Sequence, residues 1–421
     1  MDHVPRTPVL MQVQFSCRPH QTLYDKEVGI MRILMISPQP FFEPRGAPFC
    51  VYQHVKALLT LGYEVDLVTY HLGKDVNLPG LRILRAPRLP LIRSVKPGPS
   101  LAKIPLDVAV FFTALWHLCV GRYRYLHTHE EGAFIGVVLS AIFRCKHLYY
   151  MHCDLPDLIA SSNFTKSRSL LHIADFVQKL MIRRADTVIT FYPELESRVR
   201  KIAPAKPIYT ILPPAVDEDT PLAKENEVER VRHELRLGDG PILVYTGTLE
   251  NYQGLDTLLQ SVQMVCEVYS NAHYIIVGGK PEQVEDLHIL AEQLGVADHV
   301  TFVGQRPTEE MSRYMAIADV LLSPRSKGTH TPLKLYTYLR SGKPILATSI
   351  VSHTQILTPD VALLVPPTPE GLLEGTLTLL REHELAEKLG KNARQAYEKH
   401  YSWPVFLEKN RQVYHEFSPL L

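Results

Sequence analysis

One pattern constrains this chain more than any other: an apolar strand, a loop of small residues and a helix, repeated through both halves. Ile33–Ser37 runs as an apolar strand into a proline-rich loop, Pro38–Pro48, that holds Arg45, Gly46 and Ala47. Val51, Val55, Leu58 and Leu59 then recur at helical spacing, Leu61-Gly62 closes the helix, and Glu64–Tyr70 predicts the next strand. Strand, helix and strand in that order make a parallel βαβ unit, whose post-strand loops gather at one sheet edge, where ligands bind. The second half restarts the pattern with strand Ile242–Tyr245, loop Thr246–Leu249, helix Gly254–Val268 and strand His273–Val277. The expected fold class is therefore α/β, with two doubly wound, Rossmann-like domains facing across a cleft. A chain of 421 residues is long enough for two such cores.

The boundaries expected are 31–210 and 211–400, joined by a stiff segment with Pro204, Pro207, Pro213 and Pro214 followed by Asp217-Glu218-Asp219. Met31 and the apolar run after it look like a fresh start, so residues 1–30 are expected to be a disordered extension. A net charge of +1 without a Lys/Arg run gives no stripe for nucleic acid. Six scattered cysteines without a CxxC pair argue against a zinc site or a disulfide framework and fit a reducing, cytoplasmic setting. The apolar segment 104–120, which contains Asp107 and His117, is too short and interrupted to cross a bilayer. It is expected to be buried against the sheet, although Arg122 and Arg124 behind it leave a membrane-facing surface helix open.

Two stretches carry candidate chemistry. From Ser323 to Pro344 an apolar strand opens into a loop with Arg325, Gly328, Thr329, His330 and Thr331, then enters a helix with Lys334 and Thr337. Unpaired N–H groups of a first helical turn, with a lysine and an arginine beside them, suit a phosphate or diphosphate. In the first half, Tyr125–Ala133 brings His127, His129 and Glu130 to a strand end, and the strand Tyr149–Cys153 brings His152 to the same edge. His127 alone is expected to pack within the sheet. His129 is the candidate to orient or polarise a substrate hydroxyl, with Glu130 and His152 beside it. The spacing lacks a further ligand cluster, so no metal site is expected.

Together these motifs resemble the family 4 retaining glycosyltransferases of the glycosyltransferase B fold. The resemblance runs from Met31 onward through the Gly46 loop, His127–Glu130, TGTLENYQGLDTLL (246–259), VGG (277–279), VTFVGQ (300–305), ADVLLSPR (318–325), SGKPILAT (341–348) and the terminal segment from Tyr401. It implies transfer of a sugar from a nucleotide-diphosphate donor, UDP- or GDP-linked, to a glycan or lipid-linked acceptor, with retention and without a cofactor or obligatory metal. It also implies that residues 401–421 cross back to the first domain, and leaves open peripheral contact with the inner face of a membrane. By the same resemblance Gly46, Gly247, Thr248 and Gln253 lie along the donor, with His129 and Glu130 near the reacting centre. The departures are local. The family's arginine and lysine after the first donor-domain strand fall on Thr248 and Gln253, and its two glutamates fall on Thr329 and Thr337. Lys334 and Arg325 are expected to replace the missing positive charge, and Thr329, Thr331 and Thr337 to keep hydroxyls near ribose and phosphate. The alternative is a glycosyltransferase-like scaffold or regulatory partner without activity. A sugar-nucleotide epimerase would need cleft carboxylates, which the two threonines remove.

Overall fold

The structure, a computed structural model, describes residues 31–43, 46–95, 98–161 and 167–417. The expected extension 1–30 and Arg45 lie outside the described residues. The first half alternates β1 (Arg32–Ser37), α1 (Gly46–Thr60), β2 (Glu64–Thr69), β3 (Leu81–Arg85), α2 (Lys103–Val120), β4 (Tyr125–His129) and α3 (Gly132–Phe143). It continues through β5 (Lys146–Met151), α4 (Leu155–Ser161), α5 (Arg168–Arg184), β6 (Thr187–Thr190), α6 (Pro193–Ile202) and β7 (Ile208–Thr210). Its seven strands are parallel, in the order β3-β2-β1-β4-β5-β6-β7. Strands such as β1 and β6 are buried along nearly their whole length, which is why they read as continuous apolar runs rather than alternating ones.

After α7 (Glu225–Glu234) the second half builds β8 (Ile242–Thr246), α8 (Leu255–Val268), β9 (His273–Val277), α9 (Pro281–Gln293), β10 (Val300–Gly304) and α10 (Met311–Ala316). It goes on with β11 (Val320–Ser323), α11 (Lys334–Ser341), β12 (Ile345–Thr348), α12 (Val351–Thr354) and β13 (Leu363–Val365). Three helices follow: α13 (Pro369–Arg381), α14 (His383–His400) and α15 (Trp403–Phe417). The second sheet is also parallel, in the order β10-β9-β8-β11-β12-β13. Phe406, Val413, Tyr414 and Phe417 of α15 join the core of the first half, so the chain returns to where it began. Leu333 packs against both cores.

Two expectations need correction. The proline-rich segment is not only linker: it contains β7, whose preceding Pro207 carbonyl accepts from the Val188 N–H at 3.0 Å. Proline is tolerated there because β7 is an edge strand. The stiffness comes further on, at Asp217-Glu218-Asp219. Arg340 of α11 pairs with Asp217 at 2.9 Å, Tyr397 of α14 donates to Glu218, and Lys56 of α1 pairs with Asp219.

The second correction concerns α2. Leu106, Val110, Ala114 and Leu118 do pack against the sheet, beside Leu34, Ile36, Val68 and Tyr70. A second apolar stripe, Ile104, Val108, Phe112, Trp116 and Val120, points outward, with Phe112 60% and Trp116 65% exposed. Its four-residue spacing keeps the stripe on one side of the helix. The neighbouring helices add exposed Phe134 and Ile142 on α3 and Leu170, Ile173 and Phe176 on α5. Composition cannot separate this helix from a fully buried one, because both are apolar all round.

Candidate active site

In an open parallel sheet, ligands bind beyond the carboxyl ends of the strands where the strand order reverses. The first sheet reverses between β1 and β4, and the second between β8 and β11. Those four strand ends lead into the Gly46 loop, His129, the Gly247 loop and the loop from Arg325 to Lys334. The residues singled out in the sequence thus fall at both switch points.

At the first switch point histidines are layered beneath the sheet edge. His127 and His129, two apart on β4, point to the same face and stack with centroids 4.6 Å apart. His129 Nδ1 lies 3.0 Å from His152 Nε2, and one of the two carries the proton between them. The His129 Nε2 is buried with no partner. His127 bonds to the Tyr414 hydroxyl of α15 and meets His54 of α1 edge-on at 4.7 Å, so it packs within the core as expected. Burial, reinforced by the neighbouring imidazoles, holds His127 and His129 well below the ordinary histidine pKa, and burial alone takes His152 down to about 3. These rings are neutral. Glu130 follows in a left-handed conformation, φ 50°. Its Oε2 accepts from the Cys153 thiol at 3.2 Å, and its Oε1 lies 3.8 Å from His152 Nδ1. A fifth of its side chain is open to solvent, yet desolvation among packed groups, with Glu131 nearby, pushes its carboxyl up to about 8. Glu130 therefore holds a proton at neutral pH. Gly46 takes φ 51°, and a methyl group there would meet nothing within 4 Å, so backbone conformation rather than space requires the glycine.

At the second switch point α11 braces the strand ends from below. The Tyr338 hydroxyl accepts from the Thr246 N–H at 2.8 Å and donates to the Leu322 carbonyl at 3.2 Å, tying β8 to β11. Above it, Gly278 (φ 127°) lies so close to Gly247 that an added Cβ would sit 1.8 Å from the Gly247 carbonyl oxygen. Lys334 opens α11 with Nζ 3.8 Å from the Tyr245 ring centroid, shielded from solvent and without a hydrogen-bond partner. A cation–π contact is worth roughly 0.5–2 kcal/mol, while full burial of a lysine can shift it by about 3–5 pKa units. Desolvation wins, aided by Arg325, and the Lys334 amine lies well below its ordinary range. Lys334 is thus no solvated helix charge. Arg325 donates to the Lys327 and His330 carbonyls at 2.9 and 3.1 Å and lies 4.9 Å over Tyr252, which sets the loop's curve.

The threonines divide. Thr329 is exposed, and its carbonyl accepts from Gln355. Thr331 is buried, and its hydroxyl donates to Gln355 Oε1 at 2.5 Å, which makes it a brace. Thr248 is exposed, and its hydroxyl accepts from Gln253 Nε2 at 3.2 Å. Gln253 is buried with Oε1 unpartnered. Thr337 is buried beside Asp217, close enough to help stabilise that carboxylate but without the geometry of a full hydrogen bond. Beneath the loop His353 donates from Nδ1 to the Thr348 carbonyl at 2.8 Å, leaving Nε2 to accept from Ser323 at 3.0 Å. His54, Tyr338, His353, Gln355 and Tyr414 were not among the sequence candidates. Their roles come from distant packing, and only His54, in the buried stripe of α1, gives a local signal.

Ring contacts link the two switch points. His152 stacks on Phe191 at 5.3 Å, and the adjacent Tyr192 meets His330 edge-on at 6.4 Å. Residues 44–220 match the family model described as Glycosyltransferase Family 4, and residues 227–396 match the one described as Glycosyl transferases group 1. Both halves are glycosyltransferase domains. The fold is accordingly glycosyltransferase B, the family 4 half carrying the histidine layer and the group 1 half carrying Lys334.

Among solved structures, sucrose-phosphate synthase from Thermosynechococcus elongatus superposes with a TM-score of 0.72 at 22% identity, covering 93% of this chain and 100% of that one. HepE of Anabaena in complex with UDP gives 0.71 at 16% identity, covering 93% and 100%. A GDP-mannose-dependent alpha-(1-6)-phosphatidylinositol monomannoside mannosyltransferase of Mycobacterium tuberculosis is 38% identical over 118 residues, 28% of this chain and 30% of that protein. That stretch of likeness spans under a third of the relative. The phosphatidyl-myo-inositol mannosyltransferase of Mycobacterium leprae is 24% identical over 91% of this chain and 96% of its own.

Proposed function

We propose that the protein transfers a sugar, with retention, from a nucleoside-diphosphate donor held by the group 1 half to an acceptor held by the family 4 half. The observation that carries this is Lys334: an amine shielded from solvent, without a partner, at the switch point and beside Arg325. Burying an amine unpaired is costly unless a ligand supplies the partner, and a diphosphate does. With the donor bound, Lys334 takes up a proton, and the two cations oppose the charge that develops on the leaving diphosphate. The anomeric C–O bond breaks, the acceptor oxygen bonds to that carbon, and the acceptor proton passes to the departing phosphate. His129 Nε2 is the unpartnered group that orients a sugar hydroxyl, and protonated Glu130 supports it through His152. The UDP complex of HepE and the GDP-mannose dependence of the mycobacterial relative support UDP or GDP as the base-bearing product.

The acceptor is read as membrane-borne. The exposed apolar stripe of α2 and its extension over α3 and α5 support peripheral contact with an anionic bilayer, since exposed Arg122, Arg124, Arg144, Arg183 and Arg184 follow or close those three helices. Isothermal titration with UDP, GDP and ADP tests the donor site. One nucleotide is expected to bind, with an enthalpy that changes with the ionisation heat of the buffer as Lys334 takes up its proton. Lys334→Met is expected to weaken it by about tenfold or more. No binding of any of the three would favour the non-catalytic scaffold.

A further inference from the structure

The loops after β2 and β3 enclose a cavity of about 620 Å³ lined by His71, Arg85, Ile92, Arg88 and Arg93. It sits at the same carboxyl edge as the histidine layer. The loop after β2 is joined to the loop after β1 by paired backbone bonds between Phe42 and Lys74, at 2.8 and 3.3 Å. Parallel strands are about 4.8 Å apart, so β3 and β4 are separated by roughly 15 Å, within the reach of one acceptor molecule.

The charge here is uneven. Residues 71–93 hold five Lys/Arg against one Asp in a chain whose net charge is +1. Arg82 is paired with Asp66. Arg85 is paired with Asp75 and donates to the Tyr70 and Leu72 carbonyls, so it shapes the wall. Arg88 and Arg93 are exposed and make no ion pair with any described residue. The His71 Nε2 meets the Ile92 carbonyl at 3.1 Å and must be the protonated nitrogen, which leaves Nδ1 buried with no partner. Two free guanidinium groups and an unsatisfied ring nitrogen around one concavity suit a phosphate monoester: the arginines take its oxygens, and Nδ1 accepts from its hydroxyl.

We infer that this cavity binds a phosphate group of the acceptor, so that the substrate class is a phosphorylated glycan or lipid headgroup. The inference rests on the transferase function proposed above, and it places the acceptor's anionic group two to three strands from His129. Leu91, between the lining residues Pro90 and Ile92, is an exposed apolar side chain beside the cavity, so a lipid and a free phosphate ester both fit the chemistry.

The test is the double variant Arg88→Ala/Arg93→Ala in the full chain, compared with wild type in three titrations. Inorganic phosphate is added against chloride of equal ionic strength, with the donor site saturated by UDP and GDP. Vesicles of phosphatidic acid, a lipid phosphate monoester, in phosphatidylcholine form the second arm, and the nucleotide alone the third. Phosphate or vesicle binding is expected to weaken by about tenfold or more in the variant, with Tm and nucleotide affinity unchanged. Loss in the phosphate arm assigns a free phosphate ester, and loss confined to vesicles assigns a lipid headgroup. Equal binding by variant and wild type in both arms overturns the inference, as does a wild type that binds neither. Arginine-dependent phosphate binding in a chain that binds no nucleotide would keep the pocket and overturn the transferase.

Discussion

Thr337 shows how one residue can be understood only through its neighbour. The family resemblance places a glutamate at this position, and the loss looks like the removal of a ribose contact. In the fold, residue 337 lies beside Asp217, whose carboxyl is raised by burial and held back by Arg340. Asp217 Oδ1 has no hydrogen-bond partner, so this carboxylate is already only partly compensated. A second carboxylate there would face it in a buried site with one arginine between them. Thr337→Glu is therefore expected to destabilise the protein by about 3 kcal/mol or more, read as the shift in urea midpoint at pH 7.5. A midpoint unchanged within error would mean that the threonine is incidental. Lys334 is the complementary case: its charge was legible from the sequence, its isolation was not. Only packing under Tyr245 and Gly247 turns an N-terminal helix lysine into a shielded amine without a hydrogen-bond partner.

At the scale of elements, α2 is the instructive helix. Its apolar residues were plain in the sequence, but which of them face the sheet depends on the helix's rotation. The structure buries the Leu106–Val110–Ala114–Leu118 stripe and exposes the Ile104–Val108–Phe112–Trp116 one. If the outer stripe meets a bilayer, Phe112→Asp/Trp116→Asp should leave Tm within about 2 °C, because both side chains are exposed. The same pair should reduce co-flotation with phosphatidylglycerol vesicles by about tenfold or more. Flotation equal to wild type would remove the helix from any membrane contact. The loop from Arg325 to Lys334 teaches the same lesson. Its glycine, threonines and cations were visible, whereas Thr331's commitment to Gln355 and the His353 prop beneath were not, because both partners come from a later part of the chain.

The whole molecule should carry a pH signature. His54, His147, His152 and His353 are held down to about 3, chiefly by burial, and His127 and His129 lie well below the ordinary value for the same reason. Their folded pKa values lie below the unfolded ones, so the unfolded chain binds more protons as pH falls. The stability they contribute is complete above about 6.5 and is lost toward about 3, at about 1.4 kcal/mol per pH unit for each ring. Glu130, lifted to about 8, and Asp107, lifted to about 7, act oppositely: the folded state keeps their protons, and that contribution fades as pH rises through those values. Six imidazoles against two carboxyls make stability fall steeply on the acid side of pH 6.5, while above it the depressed Lys334 amine opposes the two carboxyls and flattens the profile. A Tm profile from pH 4 to 9 checks this, and a maximum below pH 5 would show that the histidines are charged in the fold.

The strand–loop–helix alternation by itself determined the α/β class, two parallel sheets and the edge at which a ligand binds, because those follow from local periodicity and the short reach of a βαβ unit. It also placed His129, Lys334 and the Gly247 loop at strand ends. Tertiary structure alone decided which of those groups lack partners, that His129 meets His152 with Glu130 beside it, and that His54 and Tyr414 complete the layer. It decided, too, that the outer side of α2 is apolar and that Arg88 and Arg93 face a cavity. Burial and pairing are properties of a side chain's neighbours, and here those neighbours come from up to 360 positions away, as between His54 and Tyr414.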